Sequence, residues 1–337
     1  MIKRILSILL CALFPLVAAA QVATKVVAKQ VGNTIEITYD LDKDAITSLY
    51  LSRDGGETYN ESPKSLSGDI GVTGAGKGKK IVWNILADGD DWDIAQARFK
   101  IETESVAQLT FTVGKCKFVM VQVEGGTFQM GCTSEQGEDC TDFEKPVHTV
   151  TVGDFHIAQT EVTQALWQAV MGTNIRQQRQ KADASWEIYG EGDNYPMYYV
   201  SWTECQEFIR RLNSVYAPQL GGLHFALPTE AQWEFAARGG NKPGPYQKKY
   251  SGSDLLGSVA WYENNSNHTT HPVATKLANA LNIYDMSGNV REWCEDNYVV
   301  RGGSWFDKAA NCRVSYRTAY TQNARFSSLG FRLVLTK

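Results

Sequence analysis

Cys312 is the one thiol between Arg301 and Arg332, a stretch that reads Arg301-Gly302-Gly303-Ser304-Trp305, then Asn311-Cys312-Arg313, then Leu329-Gly330-Phe331-Arg332. A thiol can pack in a core or help hold a soft metal, and Cu(I) is among the metals that thiolate ligands select. Five residues before Cys312 stands Asp307, which is a hard ligand. A dithiol site would need another sulfur, and Cys294 is the nearest candidate in sequence. A second group of residues suits a different ion. In Asp285-Met286-Ser287-Gly288-Asn289-Val290-Arg291-Glu292 two carboxylates flank a glycine turn, and hard oxygens on a folded-back loop suit calcium. A hairpin with surface acids is the plainer alternative. Of the histidines 148, 156, 224, 268 and 271, only His268 and His271 form a close pair, in an asparagine-rich loop where solvent exposure is expected. The sequence holds no glycine-rich phosphate loop, no Gly-x-Ser-x-Gly elbow and no His-Glu-x-x-His helix.

The scaffold that must position these residues is 337 residues long, enough for one large or two moderate domains. Residues 1–20 have a basic start at Lys3 and Arg4, an apolar run from Ile5 to Val17 and a small-residue end Ala18-Ala19-Ala20, the layout of a cleavable secretory signal. The mature chain is expected to begin at Gln21 and to reach the periplasm or cell envelope. The run is too short for a stable transmembrane anchor, and Leu10 before Cys11 disfavours lipid attachment. Without this segment the chain has 31 basic against 37 acidic residues, a formal charge of −6. No basic face interleaved with aromatics stands out, so nucleic acid is not an expected partner.

An oxidising destination makes disulfides reasonable among Cys116, Cys132, Cys140, Cys205, Cys294 and Cys312. Cys132 with Cys140 is the expected pair, because the polar loop between them closes cheaply. Cys205 falls on the apolar side of an expected helix and reads as a core thiol. Cys294 and Cys312 could be bridged or free.

From Val22 to Glu104 apolar and polar residues alternate in short runs such as Thr34–Tyr39 and Ser48–Ser52, broken by the Asp54-Gly55-Gly56 turn and a glycine and lysine loop from Gly71 to Lys79. That periodicity predicts an all-β immunoglobulin-like or fibronectin-like sandwich over 21–105. Beyond a strand near Leu109–Val113, helices are predicted from Thr160 to Gly172, behind the capping box Ser201-Trp202-Thr203-Glu204, and behind a second one at Thr229–Gln232 that runs to Gly239. The rest of residues 112–337 reads as loop. Disulfides, cations or tight glycine turns must tie such loops down.

Several runs in this second part, in order, resemble the sulfatase-modifying factors, also called formylglycine-generating enzymes. They are Phe118–Met120, Gly125–Gly131, Glu144–His148, Glu161–Gln164, Pro196–Trp202, Leu227–Glu234, Gly288–Trp293 and Arg301–Trp305. The resemblance covers about two thirds of the chain and implies an α+β, C-type lectin-like fold with little regular secondary structure over 112–337. It also implies a calcium site at Asp285, Gly288, Val290 and Glu292, and, in active members, two cysteines that bind copper to oxidise a substrate cysteine. Asp307 occupies the first of those cysteine positions and Cys312 the second, while Ser304 keeps the family's serine and Ser328 replaces an asparagine before Leu-Gly-Phe-Arg. The resemblance therefore points to a noncatalytic binding or structural envelope component, a pseudoenzyme with calcium but without copper. Its partner would be a protein or glycan, within an envelope assembly. The alternative is a formylglycine-generating oxidase using Cys312 and Ser304. Relatives that use non-haem iron need a histidine cluster, which the sequence does not supply.

Overall fold

A computed structural model describes residues 23–337 apart from 43–44, 74–75, 90–95, 106–107, 217–219, 221 and 243–246. The expected signal at 1–20 and the start at Gln21 lie outside the described residues. The chain forms two compact units: one runs to Val106 and takes in Tyr216–Gly222, the other comprises Ala107–Val215 and Leu223–Lys337. No helix among the described residues is long and apolar enough to cross a membrane.

The first unit is built from β1 (Ala23–Val31), β2 (Thr34–Leu41), β3 (Ala45–Ser52), β4 (Leu66–Gly68), β5 (Gly71–Thr73), β6 (Gly76–Asn84) and β7 (Arg98–Ser105), with one helical turn, α1, at Ile85–Asp88. Its strands form two sheets, ordered β1-β2-β6-β4 and β5-β3-β7. Alternation along the strands sends Ile35, Ile37, Leu49, Leu51, Ile81 and Trp83 from both sheets into one core. Gly71–Lys79, expected as a loop, instead supplies β5 and the start of β6, because β3 and β2 offer their edges as pairing partners. The Asp54 turn is more organised than its glycines suggest: the carboxylate accepts from Ser52 Oγ, the Glu57 N–H and both the N–H and hydroxyl of Thr58.

The second unit carries short strands: β8 (Gln108–Val113), β9 (Cys116–Val123), β10 (Gly126–Met130), β11 (His148–Val152), β12 (Phe155–Ala158), β13 (His224–Ala226), β14 (Arg291–Trp293), β15 (Val299–Arg301), β16 (Arg317–Ala319), β17 (Leu329–Gly330) and β18 (Val334–Thr336). They pair as the ribbon β10-β11, a sheet β13-β18-β12-β9-β8 and a sheet β16-β15-β14-β17. The helices are α2 (Gln164–Met171), α3 (Ile175–Ala182), α4 (Trp202–Tyr216), α5 (Glu230–Ala237) and the single turn α6 (Leu256–Val259). Both expected capping boxes form, with Ser201 and Glu204, and Thr229 and Gln232, exchanging backbone bonds. Helix α2 begins at Gln164 rather than Thr160, because Thr163 caps it and pairs with Pro196 while Glu161 is drawn inward. Gly172 closes it in the left-handed conformation, as predicted.

Regular structure alone does not fix the loops. Cys132 and Cys140 are joined in a disulfide with Cα atoms 6.1 Å apart. Buried arginines do the rest: Arg313 grips Glu144 with two bonds of 2.7 and 2.8 Å and also donates to the Asp139 carbonyl, while Arg238 donates to Glu135, Glu234 and the Gly131 carbonyl. Such charge-assisted, bidentate contacts hold geometry as well as energy.

Candidate functional site

Strand β15 ends at Arg301, and Gly302 and Gly303 then adopt φ values of 91° and 70°. A Cβ on Gly303 would come within 2.6 Å of the Asn311 carbonyl and 2.7 Å of Cys312 Sγ, so only glycine lets these two strands of chain meet. That close approach sets Ser304, Asp307, Asn311 and Cys312 around one point. Ala309–Cys312 is a short 3₁₀ turn, and Cys312 is fully buried beside Tyr250, Leu256, Val259 and Ala260.

The carboxylate of Asp307 is buried and fully engaged. Arg291 Nη2 and Asn311 Nδ2 donate to Oδ1, the latter at 3.1 Å, and Ser304 Oγ donates to Oδ2 at 2.6 Å. Arg291 also donates to the Tyr320 hydroxyl, which extends the cluster outward. Burial pushes the Cys312 thiol far up and Asp307 adds to it, against weaker opposition from Arg291 and the Ser304 N–H. Burial thus favours the neutral thiol beside the Arg291–Asp307 pair.

Copper does not fit these residues. Asp307 already neutralises a guanidinium, and only one sulfur is present at the site. Cys294 does not supply the second: it is free and buried in a different cluster, with Trp233, Met286 and Val314. It carries no bridge to Cys312. His271 stacks on Trp261 with centroids 3.7 Å apart and His268 is exposed, so that pair forms no metal site either.

The acidic loop is strongly bent, with Asp285, Gly288 and Asn289 at positive φ. Its two carboxylates point inward rather than to solvent, which removes the surface-hairpin alternative. Glu292 accepts from Arg332 on both oxygens, each at 2.6 Å, and from Trp233 Nε1 at 2.7 Å. Asp285 Oδ2 accepts from the Ala274 N–H at 2.8 Å, while its buried Oδ1 has no hydrogen-bond partner. Glu161, which sequence reading took only as a family residue, joins them by accepting from the Val290 N–H and Asn289 Nδ2. Burial drives Glu161 well above the usual carboxyl range and Asp285 up to about 6, with neighbouring carboxylates adding and Arg332 opposing. Among the described residues no group of three or more His, Cys, Asp or Glu side chains is placed to hold a metal ion.

Residues 112–337 match the family model described as the Sulfatase-modifying factor enzyme 1-like domain. The chain belongs to the sulfatase-modifying factor family. Within it the chain is similar to the chaperone protein LppX of Paenibacillus barcinonensis, at 31% identity over 65% of this chain and 89% of that one. It is also similar to the formylglycine-generating enzyme of Streptomyces coelicolor, at 27% identity over 63% and 87% of the two chains. A third relative is the inactive C-alpha-formylglycine-generating enzyme 2 of Bos taurus, at 30% identity over 63% and 86%. Among solved structures, Treponema denticola variable protein 1 superposes with a TM-score of 0.57 at 29% identity, covering 68% of this chain and 99% of that one. The sulfatase-modifying factor domain thus carries the site, and residues 1–111, with all seven strands of the first unit, lie outside the match. These relatives include one named as an enzyme and one named as inactive, so the site of this member has to decide its chemistry.

Sequence reading missed Arg291 as the partner of Asp307. A buried acid needs a cation, but nothing local pointed 16 residues upstream.

Proposed function

We propose that this member is a noncatalytic binding component exported to the cell envelope, which uses the family scaffold to present a recognition surface. One observation carries the reading: Asp307, at the first of the family's two copper-ligand positions, is committed to Arg291, Ser304 and Asn311. The neutral, buried state of Cys312 supports it, as does the likeness to a protein named a chaperone and to one named inactive. The test is mass spectrometry of a Cys-x-Pro-x-Arg peptide incubated with the protein, copper and oxygen. No formylglycine is expected; turnover abolished by Cys312→Ser would overturn the reading.

Calcium belongs to the same proposal. The unpartnered Asp285 Oδ1 and the excess of buried carboxylates over Arg332 support a cation held by Asp285, the Gly288 and Val290 carbonyls and Glu292. Two of those four ligands are backbone atoms, and Glu292 would have to share an oxygen with Arg332. When bound, the ion would neutralise the pocket and brace the loop; it would take no part in chemistry. Calorimetry should detect calcium binding and a melting temperature lowered by chelator. Absence of both removes the claim. Export is checked by the intact mass of protein from a periplasmic fraction, which should begin at Gln21.

A further inference from the structure

A cavity of about 750 Å³ opens on the second unit and shares no lining residue with Asp307, Cys312 or the 285–292 loop. Its volume falls in the range of small-molecule sites. Phe128 of β10 and Phe235 of α5 line it with ring centroids 5.2 Å apart, and Val147 extends the apolar part. Thr127, Gln129, Ser134, Asn241 and Gln247 add polar groups to the wall. The frame is pre-organised, because the Cys132–Cys140 disulfide closes one side and Arg238 braces it through Glu135 and the Gly131 carbonyl.

Charge decides the class of ligand. Arg238 and Glu135 are the charged residues among those lining the cavity, and they pair with each other at 2.6 Å, so the wall presents no net charge. The remaining polar groups are uncharged. Asn241 Nδ2 donates to the Gly125 and Glu124 carbonyls at 2.7 and 3.3 Å, and its Oδ1 accepts no bond among the described residues. Ser134 is exposed at the rim. The partly buried Phe128 ring, backed by the buried Phe235 and bordered by uncharged amide and hydroxyl groups, suits a ligand with apolar C–H faces and many hydroxyls.

We propose that this cavity binds a neutral saccharide. The site stands apart from both the Asp307 pair and the proposed calcium loop, so binding is expected to survive chelation. The test is saturation-transfer NMR on the full chain, with maltose, cellobiose and diacetylchitobiose as probes, a sulfated disaccharide as charged comparator, and an uncharged extended peptide as a separate arm. At least one neutral sugar should receive saturation, with and without chelator. That transfer should be lost in Phe128→Ala and in Ser134→Trp, the second of which plugs the cavity from an exposed position and leaves the core intact. No transfer to any of the three sugars overturns the proposal. So does transfer that survives Ser134→Trp, transfer equal to that of the sulfated comparator, or transfer to the peptide alone.

Discussion

If Asp307 is an anion held in place by Arg291, then deleting the arginine alone must cost more than deleting both charges. Replacing Arg291 by Leu strands a carboxylate that is 5% exposed. Removing one partner of a buried pair costs about 3–5 kcal/mol. Arg291 is itself 16% exposed, and Asp307 keeps its bonds from Ser304 and Asn311, so the low end, about 3 kcal/mol, applies. For a unit of this size each kcal/mol moves the melting midpoint by about 2–4 °C, which gives a fall of about 6–12 °C in the transition of the second unit. Asp307→Asn should cost less, because Arg291 retains Tyr320 and a route to water. The double variant should recover most of the loss. Calorimetry of the four proteins closes the cycle, and since the chain has two units the comparison must use the same transition throughout. A coupling energy below about 0.5 kcal/mol would mean the two residues are independent, and the account of Asp307 as a held anion would fail.

Other expectations follow from the same contacts. Burial pushes the Glu144 carboxyl up, but bonds from Arg313 and Ser315 outweigh it and leave it below the ordinary range. Its contribution is therefore present above the unfolded glutamate pKa of about 4.3 and is lost as pH falls through the lower folded value; acid melting curves should show this loss in the native protein and a shallower one in Glu144→Gln. Opening the disulfide with Cys132→Ser and Cys140→Ser releases a loop of eight-residue separation, worth about 2.5 kcal/mol by loop entropy. Arg313 and Arg238 should nonetheless keep the 131–146 segment in place, so hydrogen exchange there should rise only modestly; full exposure would show that the disulfide alone holds it. Gly303→Ala meets backbone and sulfur at 2.6 and 2.7 Å in a left-handed conformation and should destabilise the second unit by at least about 2 kcal/mol in denaturant titration.

Local signals were legible where local chemistry decides. The capping boxes at Ser201 and Thr229, the Gly172 stop and the Cys132–Cys140 pairing depend on residues within a few positions of one another, and sequence reading placed all of them. It failed where the deciding partner is distant. The start of α2 slips to Gln164 because Glu161 answers to Val290, 129 residues away, and the 71–79 segment becomes strand because β2 and β3 reach it from the other side of a turn. At the site, the type of residue at 307 was readable but its partner was not. Arg291 sits next to the last residue of an expected calcium loop, where a basic residue looks like an ornament of the surface until the fold turns it toward Asp307.

The same distance dependence bears on how the fold would respond to changes at positions 307 and 312. The loops of the second unit converge on four arginines, Arg238, Arg301, Arg313 and Arg332, each 9% exposed or less. Each is paired to a glutamate on another element or an earlier turn: Glu135 and Glu234, Glu234, Glu144, and Glu292. None of these clamps uses Asp307 or Cys312. Residue 307 meets the scaffold mainly through Arg291, Ser304 and Asn311, so exchanging a thiol there for a carboxylate alters one local charge and is compensated by one guanidinium. By contrast, a carboxylate at Cys312 would enter an apolar cluster with Leu256, Val259 and Ala260, and an unpaired charge there has no comparable remedy. The asymmetry predicts which of the two positions tolerates replacement: Cys312→Asp should prevent folding of the second unit, whereas Asp307→Cys should leave a folded protein, as circular dichroism and melting of the two variants would reveal.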